Sequence, residues 1–220
     1  RPGDQVEGKI RVEFLGDQVR DYEVEDLVVT KPGLSTTAPP PISASPTLKP
    51  GDPLPDFQVT TQEGRRLRLR ELRGQAVVLT FVYTRCPLPE FCPLMDRKFA
   101  ELASLLENNP ERAKRVRLLS ISFDPEHDTP EVLARHAAGR GAHPPLWTYC
   151  VASHDELGRV AGTLGLVYGP TKDQIVHGLR TILVTPSGEV ARLDEGAWSP
   201  RDYLRSLTTM LGTSAPPAEK

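Results

Sequence analysis

Cysteine is scarce in this chain, and net charge is small. Only three cysteines occur among 220 residues, which is too few for a scaffold held together by disulfides. The formal net charge of -2 gives no electrostatic footprint for nucleic acid, so we expect no nucleic-acid partner. No run of about 18 apolar residues occurs, which predicts that nothing in the sequence spans a membrane.

The sequence also lacks an initiator methionine, and no signal peptide follows its first residue, Arg1. We therefore expect a soluble portion of a longer protein, with any targeting segment or membrane anchor upstream. The length suffices for one sizeable core and a small extra module. A hydrophobic content of 38% predicts a globular fold.

Composition divides the chain into four regions. Residues 1–30 hold two alternating segments around Gly16-Asp17, which predict a short N-terminal β segment. Two strands alone are marginally stable, so this segment must pack on something or be the remnant of a larger module. Residues 31–50 are rich in proline, serine and threonine and predict a semi-rigid linker. We expect an α/β domain over 51–212 and a short tail over 213–220.

Within the α/β region, apolar strands alternate with amphipathic helices. Residues 76–84 and 115–123 are unbroken apolar runs, as expected for strands buried on both faces. Pro130 and Ser153 mark the starts of two helices, and Pro200 begins a last helix whose inward residues should be Leu204, Leu207 and Leu211. A helix that follows from Pro93 has one apolar face, made of Met95, Phe99, Leu102 and Leu106. This order predicts an α/β, thioredoxin-like fold, with a central mixed sheet flanked by helices.

Two of the three cysteines lie in the stretch TFVYTRCPLPEFCPLMD, directly after the first buried strand. Open α/β sheets place their functional sites at that edge. Prolines between Cys86 and Cys92 forbid a continuous helix, so the two sulfurs can converge in a turned loop. Cys92 precedes the next helix, whose positive end predicts a lowered pKa for its thiol. Such a pair suits a disulfide or a soft metal ion.

The remaining cysteine and the five histidines are less alike than their types suggest. Cys150 lies in a strand-like stretch and is expected to be a buried structural residue. His177 precedes a late strand that lies beside the first strand in a thioredoxin-like sheet, which predicts a position near the cysteine loop. Two thiolates suit Cu(I), and Cu(II) usually requires an added nitrogen such as an imidazole. The other histidines are predicted to be solvated: His127, His136, His143 and His154.

Three motifs in this order resemble the Sco/SenC family, thioredoxin-fold copper proteins of cytochrome oxidase assembly, over about residues 48–212. YTRCPLPEFCP keeps both Cys-Pro pairs of the family pattern Y-T-x-C-P-x-x-C-P, with a longer gap between the cysteines. SFDPEHDTPEVL matches the family's D-P-x-x-D-T-P. His177 stands nine residues before a Pro-Ser-Gly turn, as the family histidine does.

The resemblance implies a metal site and a redox-active pair. Cys86, Cys92 and His177 would bind copper, as Cu(I) or Cu(II), and the two cysteines would also be redox-active. Asp124 and Asp128 would tune the site from behind these ligands, although turn formation and helix capping are alternative roles for them. The longer cysteine gap departs from the family pattern and bears directly on the copper geometry.

The resemblance also implies a function and a location. We expect a metallochaperone that delivers copper to the binuclear site of cytochrome c oxidase subunit II or to another copper client, or that first reduces the cysteines of that site. The expected location is the periplasm or another extracytoplasmic membrane face. Residues 1–30 are similar to the end of a small copper-binding β-barrel of the CusF type. Because residues 1–50 contain neither Met nor His, this β segment should bind no metal.

A general thiol-disulfide oxidoreductase is the alternative function. Thioredoxin-type reductases carry C-x-x-C and a cis-proline before the late strand, where substrate docks. Here five residues separate the cysteines, and Arg180 occupies the position of that proline. A peroxiredoxin is a third candidate, but no proline stands four residues before Thr84, as the usual peroxidatic motif requires.

Overall fold

The computed structural model divides the chain into two compact units, one within residues 1–44 and one within 45–220. The predicted tail, the Gly16-Asp17 turn and most of the predicted linker lie outside the described residues, so the domain boundaries stay predictions. The described residues are 5–15, 18–31, 48–166, 168–170 and 175–212.

The first unit contains an antiparallel strand pair, as its alternating pattern predicts. Strand β1 (Gln5–Leu15) pairs with β2 (Gln18–Lys31), with irregularities in the register near both ends and in the middle. An exposed ion pair joins Lys9 and Asp26 across the strands at 2.9 Å. The interpretation of this hairpin as a barrel remnant stays a prediction.

The second unit is built on a seven-stranded mixed sheet, which confirms the predicted fold class. The three central strands β5, β6 and β7 run parallel, and the strands on either side of them are antiparallel to their neighbours. The order across the sheet is β11-β10-β5-β6-β7-β3-β4, and β8 and β9 form a separate antiparallel pair. The strands are β3 (Gln58–Thr61), β4 (Arg66–Arg68), β5 (Ala76–Val82), β6 (Val116–Ser122), β7 (Trp147–Val151), β8 (Tyr168–Pro170), β9 (Ile175–His177), β10 (Arg180–Val184) and β11 (Val190–Glu195).

Helices α3 and α4 have side-chain caps at their first turns and glycines at their ends. The hydroxyls of Thr129 and Ser153 accept hydrogen bonds from the first turns of α3 and α4, and Gly141 and Gly165 end these helices with a positive φ. No helix in the described part of the chain is long and apolar enough to cross a membrane. The helices are α1 (Cys92–Glu107), α2 (Pro110–Ala113), α3 (Pro130–Arg140), α4 (His154–Leu164) and α5 (Pro200–Gly212), and a 3-10 turn spans Leu69–Leu72.

The core follows the predicted apolar faces with one exception. All seven residues of β5 are buried, and the four predicted inward residues of α1 are fully buried. In α5, Leu207 and Leu211 are buried, but Leu204 is only partly buried and Tyr203 takes the third inward position. The leucine spacing does not predict the burial of Tyr203. Its phenol can be buried because its hydroxyl donates a hydrogen bond to Asp194, at 2.6 Å, and that partner is not visible in the local sequence.

One edge of the sheet collects the chain segments that carry the predicted site. The parallel strands β5 and β6 both end there, at Val82 and Ser122. Strand β10 runs antiparallel to β5, with Thr181 opposite Thr80, so β10 begins at the same edge. The residues just after β5 and β6 and just before β10 therefore meet in space.

Candidate metal centre

Three side chains with metal-binding atoms converge at this edge. The sulfurs of Cys86 and Cys92 and a ring nitrogen of His177 all lie within 4.8 Å of one another. The Cys92 sulfur is 3.3 Å from Nε2 of His177. Cys92 and His177 are buried, and Cys86 is half-buried. Within the described ranges, no other group of three or more His, Cys, Asp or Glu side chains is placed to hold a metal ion.

The longer gap between the cysteines is taken up by a tight turn. The N–H of Phe91 donates to the carbonyl oxygen of Leu88 at 3.1 Å, which closes a four-residue turn with Pro89 and Glu90 at its exposed centre. Proline is favoured at the first central position of such a turn. Arg97, on α1, donates to the carbonyl oxygen of Pro89 at 3.1 Å. The turn therefore accommodates the extra residues of the loop while the two sulfurs stay close together.

His177 is oriented by its neighbours. Its Nδ1 is 3.0 Å from the carbonyl oxygen of Gly178, which indicates that Nδ1 carries the proton and that Nε2 keeps a free lone pair facing Cys92. Aromatic rings pack around the imidazole with centroids 5.7 Å (Tyr83), 5.8 Å (Phe91) and 4.8 Å (Phe123) away. Sequence reasoning missed these rings, although Tyr83 and Phe123 directly follow β5 and β6.

Asp124 and Asp128 hold the backbone and side chains that precede Cys86. Asp128 is fully buried, and it accepts hydrogen bonds from the N–H of Thr84 at 3.0 Å and from the hydroxyls of Thr84 and Ser122 at 2.5 and 2.6 Å. Asp124 accepts two hydrogen bonds from Arg85 at 2.7 and 3.2 Å. Neither aspartate caps α3, because Thr129 does so. Their influence on the metal centre stays a prediction.

The two thiols differ in charge, in the opposite sense to the expectation from helix polarity. A hydrogen bond from Cys92 lowers the pKa of Cys86 to about 4 despite partial burial. The hydrogen bond to Cys86, together with burial, raises the pKa of Cys92. The predicted low pKa of Cys92 is therefore wrong, because burial and the neighbouring thiolate outweigh the helix end. Burial and the charge of Cys86 raise the pKa of Tyr83 to about 12.

Iodoacetamide is expected to alkylate Cys86 well before Cys92 in reduced, metal-free protein. Because the lowered pKa leaves Cys86 as a thiolate throughout the neutral range, its rate should be nearly flat between about pH 6 and 8. An ordinary thiol with a pKa of about 8.5 would react close to tenfold faster per pH unit over the same range. Peptide mapping of time points measures both rates. A steep pH dependence at Cys86, or preferential labelling of Cys92, would contradict this charge distribution.

The other cysteine and histidines lie outside this centre. Cys150 is fully buried in β7, as predicted, and burial raises the pKa of its thiol to about 12. His127 and His143 are exposed, and His154 contacts Glu126 on the surface. His136 was predicted to be solvated, but its side chain is only 16% exposed and contacts the buried Asp96.

Comparison with known proteins places this arrangement in context. The SCO1/SenC family model matches residues 46–212. The SCO1 protein homolog of Bacillus subtilis is 29% identical over 141 residues, which cover 62% of this chain and 70% of that protein. The chain spans about half the length of several matched mitochondrial relatives.

Two solved structures show the same fold. Arabidopsis thaliana ScoI, in a crystal structure with copper bound, is 20% identical with a TM-score of 0.62, covering 76% of this chain and 100% of that one. BsSco, described as having a disulfide switch and belonging to the Sco family of cytochrome c oxidase assembly proteins, is 24% identical with a TM-score of 0.63. That match covers 77% of this chain and 100% of the BsSco chain.

Proposed function

Because this chain belongs to the SCO1/SenC family, we propose that it is a copper-binding protein whose ligands are Cys86, Cys92 and His177. The observation that carries the proposal is the convergence of two sulfurs and one imidazole nitrogen within 4.8 Å. The copper-bound structure of the Arabidopsis relative supports the choice of metal.

The donor set suits both oxidation states of copper. Two thiolates are soft ligands that favour Cu(I), and the imidazole supplies the nitrogen that Cu(II) usually requires. Cys86 is ready to bind as a thiolate, whereas Cys92 must lose its proton when the metal enters. His177 keeps its Nδ1 proton on the Gly178 carbonyl, so Nε2 is the nitrogen offered to the metal. The half-buried Cys86 is the most accessible of the three ligands.

The proposed role is copper delivery during cytochrome c oxidase assembly. The client would be the binuclear copper site of subunit II or another copper protein, on the extracytoplasmic face of a membrane. Support comes from family membership and from BsSco, which is described as a cytochrome c oxidase assembly protein. A metallochaperone of this kind needs no catalytic turnover of its own.

A general thiol-disulfide oxidoreductase is the second candidate, favoured by one observation. The low pKa of Cys86 beside a protonated Cys92 is the arrangement of an attacking and a resolving thiol. Arg180 argues against broad substrate docking. Its guanidinium donates to the carbonyl oxygen of Gly165 at 3.0 Å and to Glu195 at 2.6 Å. The arginine is therefore engaged within the protein and does not provide the docking position that a cis-proline would supply.

Anaerobic copper loading of the reduced protein separates the two candidates. We expect about one copper per chain, and thiolate-to-copper absorption bands in the Cu(II) form. The same protein should reduce insulin disulfides far more slowly than thioredoxin does. No copper retention after gel filtration, combined with thioredoxin-like insulin reduction, would overturn the copper proposal in favour of the oxidoreductase.

A further inference from the structure

A buried carboxylate lies on α1 outside the group of proposed ligands. Asp96 is only 3% exposed. Its Oδ1 accepts a hydrogen bond from the hydroxyl of Tyr149 at 2.6 Å, and its Oδ2 accepts one from Nε of Arg140 at 3.1 Å. The same oxygen lies 2.9 Å from Nε2 of His136. These contacts tie α1 to α3 and β7 through one negative charge.

This carboxylate lies one helical turn beyond Cys92. Residues four apart on a helix are neighbours on one face, with Cβ atoms about 5–6 Å apart. Cys92 and Asp96 are both buried, so water screens the interaction between them poorly. The charge of Asp96 therefore acts on the cysteine pair over a short and poorly screened distance.

We propose that Asp96 is a positioning residue that lowers the reduction potential of the Cys86–Cys92 pair by placing a fixed negative charge behind it. The inference rests on the proposed function only in taking these two cysteines as the redox pair. Its physical basis is electrostatic, and it requires no contact between the carboxylate and either sulfur.

The sign follows from the charges on each side of the couple. A dithiol reductant transfers two electrons to the 86–92 disulfide and becomes a disulfide itself. The 86–92 S–S bond breaks, and each freed sulfur either takes up a proton from the reductant or remains a thiolate while that proton passes to water. Wherever one of the two sulfurs remains a thiolate, the reduced pair carries a negative charge that the disulfide lacks. A nearby carboxylate repels that charge and favours the disulfide.

Redox titration of the metal-free protein against dithiothreitol, at one fixed pH of about 9 where thiols ionise, tests the inference with two opposite substitutions. Asp96→Asn removes the negative charge and should raise the reduction potential by about 30 mV. For this two-electron couple, that shift is about a tenfold change in the equilibrium constant with dithiothreitol. Arg140→Gln removes the positive charge that offsets Asp96 and should lower the potential. Its shift should be smaller, because the Arg140 side chain is 42% exposed and solvent screens it.

Glu101→Gln is the matched control, since Glu101 is an exposed carboxylate on the same helix and its loss should leave the potential unchanged. If the cluster matters only for packing, the Asp96 and Arg140 variants should both shift the potential in the same direction, or both leave it unchanged. Either result would overturn the inference. Near-ultraviolet circular dichroism of each variant shows whether it is folded. The titration needs no copper, so the two tests are independent. Failure of copper loading would refute the proposed function without affecting the measured potentials. Unchanged potentials in the variants would refute the role of Asp96 without affecting the copper proposal.

Discussion

Replacing Cys92 with serine is expected to abolish tight copper loading. The substitution exchanges a soft, deprotonatable sulfur beside Nε2 of His177 for a hydroxyl that stays protonated at neutral pH. Loss of a group behind the ligands typically costs about 10–100-fold in metal affinity, so loss of a ligand should cost more than about 100-fold. Competition with a Cu(I) chelator under anaerobic conditions measures the affinity. Cys86→Ser should behave in the same way.

Two further variants define the ligand set. His177→Ala should weaken Cu(II) binding more than Cu(I) binding, because two thiolates alone can hold the softer ion. Cys150→Ala is the control, since Cys150 is fully buried in β7 and outside the converging group. Normal copper loading of the Cys92→Ser protein, or loss of loading in the Cys150→Ala protein, would show that the ligands are assigned wrongly.

Replacing Asp128 with alanine is expected to have the largest effect on stability among the site variants. The fully buried carboxylate accepts three hydrogen bonds, and its removal leaves the N–H of Thr84 without that partner. Hydrogen bonds to charged groups contribute about 1.5–3 kcal/mol each, and buried donors left unpaired are costly. We expect the free energy of unfolding to fall by about 3 kcal/mol, as measured by urea denaturation.

The same variant tests whether Asp128 supports the metal centre through the loop. Thr84 stands two residues before Cys86. Loss of its hydrogen bonds to Asp128 should therefore lower copper affinity by about 10–100-fold in protein that is still folded. Asp124→Ala is the matched comparison. Asp124 binds Arg85, whose side chain is 55% exposed, and partly solvated ion pairs contribute about 0–1 kcal/mol. If the Asp128 and Asp124 variants have the same free energy of unfolding and the same copper affinity, Asp128 does not support the metal centre through Thr84.

The longer cysteine loop also has a different surface from the one its sequence suggests. Leu88 and Phe91 look like a free apolar tip when the loop is considered alone. In the structure both are half-buried, and the ring of Phe91 packs on the imidazole of His177. Phe91 therefore shields a ligand, and the exposed part of the loop is Pro87, Pro89 and Glu90.

Local and periodic features of this protein were accessible from sequence alone. The unbroken apolar run of β5, the single apolar face of α1 and the caps at Thr129 and Ser153 depend on neighbours within a few residues along the chain. The convergence of Cys86 and Cys92 is also local, because prolines and a short loop restrict it. His177 is 85 residues from Cys92, and its position could be predicted only because the antiparallel pairing of β10 with β5 follows from the fold class.

The charge distribution of the site was decided by tertiary structure. Helix polarity alone predicts a low pKa for Cys92, but the hydrogen bond to Cys86 and burial reverse that prediction. The clamp of Asp128 on Thr84 spans 44 residues, and the contacts of Asp96 with His136 and Tyr149 span 40 and 53. Such partners have no periodicity in the sequence. The depth at which a polar group is buried, and the donors that surround it, are set only when distant segments pack together.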